Sequence, residues 1–259
     1  MSNHLAVAEC SSTRRQGNVE SLHRPHANTT RLILHGGSLA VLMLLAGCGE
    51  TLFQSNFDPT PVNQPPSHVQ KVGTANIFGA AGSVIVVAPP VAPSGKWVQI
   101  SRANSAEAPV AGLQGNFSKF AGDGTYTFST ILFIPSGSPS RNVATIQFES
   151  FGQPVDTLSS FLHIDFLQDN HVRIDDDEST KFGSFPRNQA FIVQVTLNIN
   201  ASSPTAHIVL SGAGASGEKD YAILAPFRTL ARQFGAIRIW MGFPWSGNFD
   251  ATQIVVTHQ

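Results

Sequence analysis

Phe191-Ile192-Val193-Gln194-Val195-Thr196-Leu197-Asn198-Ile199 puts five large apolar residues (Phe191, Val193, Val195, Leu197, Ile199) on one side of an extended chain. Gln194, Thr196 and Asn198 fall on the other side, with Ile192 the one exception. Side chains alternate across a strand, so the run is a strand with a wholly apolar face. The same period of two recurs outward from it. Ala144, Ile146 and Phe148 alternate with Thr145, Gln147 and Glu149; Leu162, Ile164 and Phe166 alternate with His163 and Asp165; Ile237, Ile239 and Met241 alternate with Arg238 and Trp240.

Extending the pattern predicts strands at 52–57, 69–78, 83–87, 97–102, 110–117, 126–134, 143–151, 160–167, 171–175, 191–199, 206–210, 236–243 and 253–257, separated by Gly, Pro, Ser and Asn. One helical stretch is expected over about Ala222–Phe234, with Leu224, Phe227, Leu230 and Ala231 at helical spacing and Pro226 in its first turn. Residues 59–68, rich in Pro, are expected to form a loop or a short stalk. Many strands with one apolar face each imply antiparallel sheets stacked on a single core, an all-β sandwich or jelly roll.

Composition narrows the function. The chain has 259 residues and a formal net charge of −1, with 13% charged residues against roughly 25% in an average globular chain. No basic face suited to nucleic acid is in evidence, and nucleic acid is excluded as a partner. Its two cysteines are Cys10 and Cys48, so residues after 48 can form neither a disulfide among themselves nor a cysteine metal site. No phosphate-binding loop, dinucleotide fingerprint, zinc motif or Gly-x-Ser-x-Gly elbow occurs.

The first 31 residues are polar and carry Arg14, Arg15, Arg24 and Arg31; an apolar run from Leu32 to Gly47 follows. That run is shorter than the roughly 20 residues of a spanning helix and is interrupted by His35, Gly36 and Gly37. It ends in Leu45-Ala46-Gly47-Cys48, which resembles the lipobox of bacterial lipoproteins. The resemblance implies a signal peptide over 1–47, cleavage before Cys48, lipid on the Cys48 thiol and a mature domain over 48–259 tethered to a membrane by its lipid. Gly49 in place of Asp implies, in the same family, the outer membrane of a two-membrane envelope.

The opening Leu52–Asp58, the long strand Gly124–Pro135, the paired runs Phe191–Asn200 and Thr205–Gly212 and the closing Gly247–Val256 together resemble the concanavalin-like or laminin-G-like jelly rolls. In those folds the first and last strands pair, which would suit the segments Phe57-Asp58 and Phe249-Asp250. The fold serves binding and catalysis alike, so the resemblance leaves three classes open. These are a glycan- or ligand-binding surface module, a structural or protein-interaction component of the envelope, and a polysaccharide-active hydrolase or lyase.

Jelly-roll glucanases carry Glu-x-Asp-x-Glu on one strand, whereas this chain offers His163-Ile164-Asp165-Phe166-Leu167, with one acid. Jelly-roll alginate lyases carry Gln-x-His; Gln147-Phe148-Glu149 has the Gln alone. No catalytic residue is therefore assigned. For binding, Gln147, Glu149, His163, Asp165, Gln194, Arg238 and Trp240 share a non-core face if their strands share a sheet. An indole beside an amide, an acid and a guanidinium suits a sugar, which stacks on the ring and hydrogen-bonds around its rim. Trp245, after Gly242-Phe243-Pro244, is expected to cap the core from a turn. Asp175, Asp176 and Asp177 are candidate ligands for a Ca2+ ion, since calcium takes several oxygens at one point; Ca2+ is otherwise the sole cofactor candidate.

Overall fold

The computed structural model describes residues 49–259 except 104–106, 139, 152–158 and 243. Residues 1–48, and with them the expected signal peptide and Cys48, lie outside the described residues.

Two antiparallel sheets are stacked. The eight-stranded sheet takes the order β13 (Gly217–Ala222), β12 (Thr205–Ser211), β11 (Ala190–Ile199), β6 (Gly124–Phe133), β15 (Gly247–His258), β4 (Trp97–Arg102) and β3 (Val84–Val87), with β1 (Glu50–Gln54) paired to β15. The seven-stranded sheet runs β10 (Asp177–Phe182), β9 (Val172–Ile174), β8 (Ser160–Leu167), β7 (Asn142–Ser150), β14 (Phe234–Met241), β5 (Ala111–Asn116) and β2 (Thr74–Phe78). This is the jelly-roll sandwich that the alternation implies.

The core is the meeting of the two apolar faces. Phe128 of β6 meets Phe148 of β7 edge-to-face at 5.4 Å, Tyr126 meets Phe234 at 5.0 Å, and Phe166 meets Phe191 at 5.8 Å. Phe191, Val193, Val195 and Leu197 are fully buried, while Gln194 and Asn198 are exposed. Trp245 packs against the core from outside a strand, its N–H bonded to the Gly242 carbonyl at 2.9 Å. It caps the core from a turn, as its position after Gly-Phe-Pro predicts.

First and last strands do pair, but through Glu50 opposite His258 and Phe53 opposite Val256. The two Phe-Asp segments are not partners: Phe249 and Asp250 face Ile100 and Gln99 of β4. β15 starts at Gly247, where the resemblance opens its closing strand, six residues before the strand that alternation predicts. Gln253 takes a left-handed φ of 50°, and the register slips between Thr252 and Val255. This bulge moves the apolar phase from Phe249 and Ala251 to Ile254 and Val256, which hides the first half of the strand from a strict period of two.

Two other readings are corrected, the helix and the strand list, and the alternatives for 59–68 are decided. The helix is a 3-10 turn at Ala225–Phe227 followed by one α turn, α1 (Arg228–Ala231). Pro226 does sit in its first turn, but only Ala231 of that α turn is buried, too small an apolar stripe to extend it. The 59–68 segment is a loop of the domain rather than a stalk: the Asn63 N–H bonds Val86 O, and the Val86 N–H bonds Gln64 O, both at 2.8 Å. Two strands escaped the apolar pattern, β10 (Asp-Glu-Ser-Thr-Lys-Phe) and β13 (Gly-Glu-Lys-Asp-Tyr-Ala), because both are sheet edges with mostly polar residues.

Candidate functional site

The outer face of the seven-stranded sheet is built from side chains that period two directs away from the core. Register aligns them in rows across the strands. One row reads Arg173, Asp165, Thr145, Trp240, Gly112 and Phe78. The next reads His163, Gln147, Arg238, Gln114 and Asn76. A third holds Glu149, Ala236, Asn116 and Thr74. Six of the seven sequence-predicted ligand residues thus share one face. Gln194 does not: β11 belongs to the other sheet, where Gln194 faces solvent from the far side of the sandwich.

This face is not an ordinary solvated surface. Glu149 is 0% exposed, Gln147 1% and Asp165 3%, and Arg238 is also buried. His163 and Trp240 are half-buried. The Arg238 guanidinium donates to Glu149 Oε1 at 2.9 Å, and the Gln147 amide donates to the same oxygen at 3.0 Å. Burial pushes the Glu149 carboxyl up to about 7, against the lowering effect of Arg238. The guanidinium also lies over the Phe78 ring, 5.2 Å from its centroid, a cation–π contact.

Asp165 accepts from Thr145 Oγ1 at 2.8 Å and from Arg173 at 3.1 Å. Burial raises its pKa even so; the hydrogen bonds from Thr145 and Arg173 oppose the rise. Arg173, which the sequence reading passed over, also binds Asp176 at 2.5 Å and Glu178 at 2.8 Å. It gathers three acids around one buried guanidinium. Its signal was present in the alternation, since Arg173 stands between the core residues Val172 and Ile174.

Trp240 owes its position to two glycines. A Cβ on Gly112 would come 2.5 Å from the Trp240 Cβ and 2.6 Å from Phe78 Cζ; one on Gly242 would come 2.6 Å from the indole Cζ3. The indole therefore lies against backbone, where any side chain would displace it. Polar atoms on this face with no hydrogen-bond partner among the described residues include Gln147 Oε1, Glu149 Oε2, Arg173 Nε and Trp240 Nε1. Each such buried atom costs about 1–3 kcal/mol unless something arrives to bond it.

The three aspartates do not converge. Asp175 and Asp176 are the two central residues of a tight turn between β9 and β10, both with positive φ (50° and 59°). Asp175 accepts the His163 N–H at 2.7 Å and the Tyr221 hydroxyl at 2.8 Å; Asp176 binds Arg173; Asp177 accepts the Ser179 N–H at 2.9 Å. Consecutive residues of the turn point in different directions, and no group of three metal-ligating side chains forms among the described residues.

No family model and no curated protein sequence matches the chain. Solved structures do resemble it. A carbohydrate esterase from the Shiga toxin-encoding bacteriophage phi24B superposes with a TM-score of 0.54 at 12% identity, over 82% of this chain and 99% of the esterase. An endo-1,3-beta-glucanase from Streptomyces sioyaensis gives 0.52 at 10% identity, over 83% of this chain and 98% of the enzyme. Lectin II from Ulex europaeus gives 0.46 at 9% identity, over 75% of this chain and 95% of the lectin. The fold is the concanavalin-like jelly roll.

Proposed function

We propose that this protein is a lipid-anchored glycan-binding module whose ligand lies on the outer face of the seven-stranded sheet, beside Trp240. The observation that carries the reading is the Trp240 indole, half-buried on this face and set against backbone at Gly112 and Gly242, with Gln147, Glu149, Asp165 and Arg238 in the same and neighbouring rows. A sugar hydroxyl both donates and accepts, so it suits a face that mixes amide, acid and guanidinium groups where a purely cationic or purely anionic ligand does not. The indole face supplies an apolar surface for the C–H side of a pyranose. The same fold carries the phage carbohydrate esterase and the glucanase named above.

Binding is favoured over hydrolysis by spacing. Glu149 lies four residues from Thr145, whose register partner is Asp165. At about 3.3 Å per residue the two acids stand roughly 13 Å apart along the strands, beyond the ~5–10 Å of a glycosidase carboxylate pair. Asp165 is moreover turned into its pair with Arg173.

The anchoring half of the proposal is supported by the Leu45-Ala46-Gly47-Cys48 lipobox. Two or more acyl chains on Cys48 hold a protein where one holds it marginally. The test of binding is a polysaccharide array probed with the purified protein, followed by calorimetry on each hit. Saturable binding of a defined glycan is expected; an array blank across neutral, acidic and amino-sugar polymers refutes the glycan reading.

A further inference from the structure

Phe120 and Phe151 are exposed (47% and 41%) and touch each other, ring centroids 6.0 Å apart. They come from different segments. Phe120 sits in the loop between β5 and β6, and Phe151 follows β7, its N–H bonded to Gln233 O at 2.6 Å. Single exposed phenylalanines are commonplace, but a contacting pair at one pole of a sandwich concentrates apolar surface.

That pole is also where the chain enters the domain. Lys119, the neighbour of Phe120, lies 2.7 Å from Glu50, and the Ser118 N–H bonds Leu52 O at 2.9 Å. Glu50 is two residues from Cys48, and two peptide units span at most about 7.6 Å. β1 begins at Glu50, so Gly49 alone separates the strand from the lipobox cysteine. Lys119 and Arg232 rim the patch, the latter paired with Asp123 at 3.2 Å.

We infer that Phe120 and Phe151 seat this pole in the headgroup region of the membrane that holds the lipid on Cys48. The inference rests on the lipoprotein reading. An anchor with no spacer holds the pole within reach of the bilayer whatever the domain does. Aromatic side chains there partition into the interface, and the rim cations, each already paired with an acid, add no net charge against it. The strands run from this pole to the other, so docking stands them upright and leaves the Trp240 face open to the side.

The test uses the full-length protein, processed in a host that lipidates it and reconstituted in phosphatidylethanolamine–phosphatidylglycerol vesicles. After processing Cys10 is gone and Cys48 is blocked, so Ser118→Cys or Ser136→Cys provides a unique thiol for an environment-sensitive dye. Ser136 lies beyond the far end of β6, at the opposite pole. Lipids brominated on their acyl chains are expected to quench the dye at 118 severalfold more than at 136. Phe120→Ser with Phe151→Ser should cut the quenching at 118 severalfold without lowering the melting temperature by more than a few degrees; quenching at 118 that survives unchanged in that variant overturns the docking surface, because the anchor alone then accounts for it. Equal quenching at 118 and 136 in a chain whose mass shows lipid on Cys48 overturns the docking surface and leaves the anchor standing. A mature chain without lipid on Cys48 overturns both.

Discussion

The Arg238 guanidinium meets Glu149 at 2.9 Å across adjacent strands, with both side chains buried on the side of the sheet away from the core. The pair does not neutralise the price of burial, because the Glu149 carboxyl still titrates near 7 rather than its ordinary 4.5. A carboxyl with a raised folded-state pKa binds its proton more tightly in the native state than in the unfolded one. Its contribution to stability is therefore largest at low pH and falls as pH rises from about 4.5 to about 7. Asp250, raised by burial to about 6, acts in the same direction from its ordinary 3.8. Melting temperature should accordingly decline across this window in wild type, and Glu149→Gln should flatten the upper part, between about pH 6 and 7. An unchanged slope in that variant would place the titration elsewhere.

Trp240→Ala should weaken binding of a glycan ligand by more than tenfold while the domain stays folded, since aromatic anchors at binding hot spots are commonly worth about 2 kcal/mol or more. Calorimetry with a glycan identified on the array checks it. Undiminished affinity moves the site away from the indole.

Gly112→Val asks whether the indole's position matters as well as its presence. The new side chain cannot coexist with the present places of Trp240 and Phe78. Overpacking of this kind costs about 1–3 kcal/mol, so a lowered melting temperature is expected together with lost affinity. Retained binding would mean that the ligand does not read the indole's orientation.

Val195→Asp should unfold the domain, because an unpaired buried charge costs several kcal/mol against a typical stability of about 5–15 kcal/mol. Thr196→Asp, one residue on and half-buried on the opposite side, should be mild. Thermal melts ranking the two the other way would contradict the register of β11 against β6 and β12.

Cys48→Ala should stop both fatty-acid incorporation and removal of residues 1–47. Metabolic labelling with a radioactive fatty acid reads the first, and the mass of the mature chain the second. Equal incorporation in variant and wild type excludes a lipid at Cys48.

Alternation made the strands with one apolar face legible, and it assigned the correct side to Gln147, Glu149, His163, Asp165, Arg238 and Trp240. It could not say which sheet each strand joins, since that is settled by long-range pairing; Gln194 ended in the other sheet for this reason. Nor could it show that Glu149 is sealed from water, because period two tells a side and not what covers it. β10 and β13 were invisible because an edge strand is held by its backbone, with no need of an apolar face. Arg173 was placed on the correct side by the same alternation, between Val172 and Ile174, but the acids that gather around it come from three different positions along the chain and only the fold brings them together.

The position of β15 has a consequence for how the molecule comes into being. The last strand made lies inside the eight-stranded sheet, between β6 and β4, and is the only partner of β1 within it. Every fragment that stops short of β15 thus leaves a slot in the sheet and β1 without its strand partner, left with its backbone bonds to Val72 and Ser118. The eight-stranded sheet cannot close until β15 arrives, and contacts so distant in sequence form slowly. The nascent chain must remain open, with Leu52, Phe53 and the core-facing side of β6 uncovered, for nearly the whole of its delivery. Such a protein depends on being kept from aggregation until then.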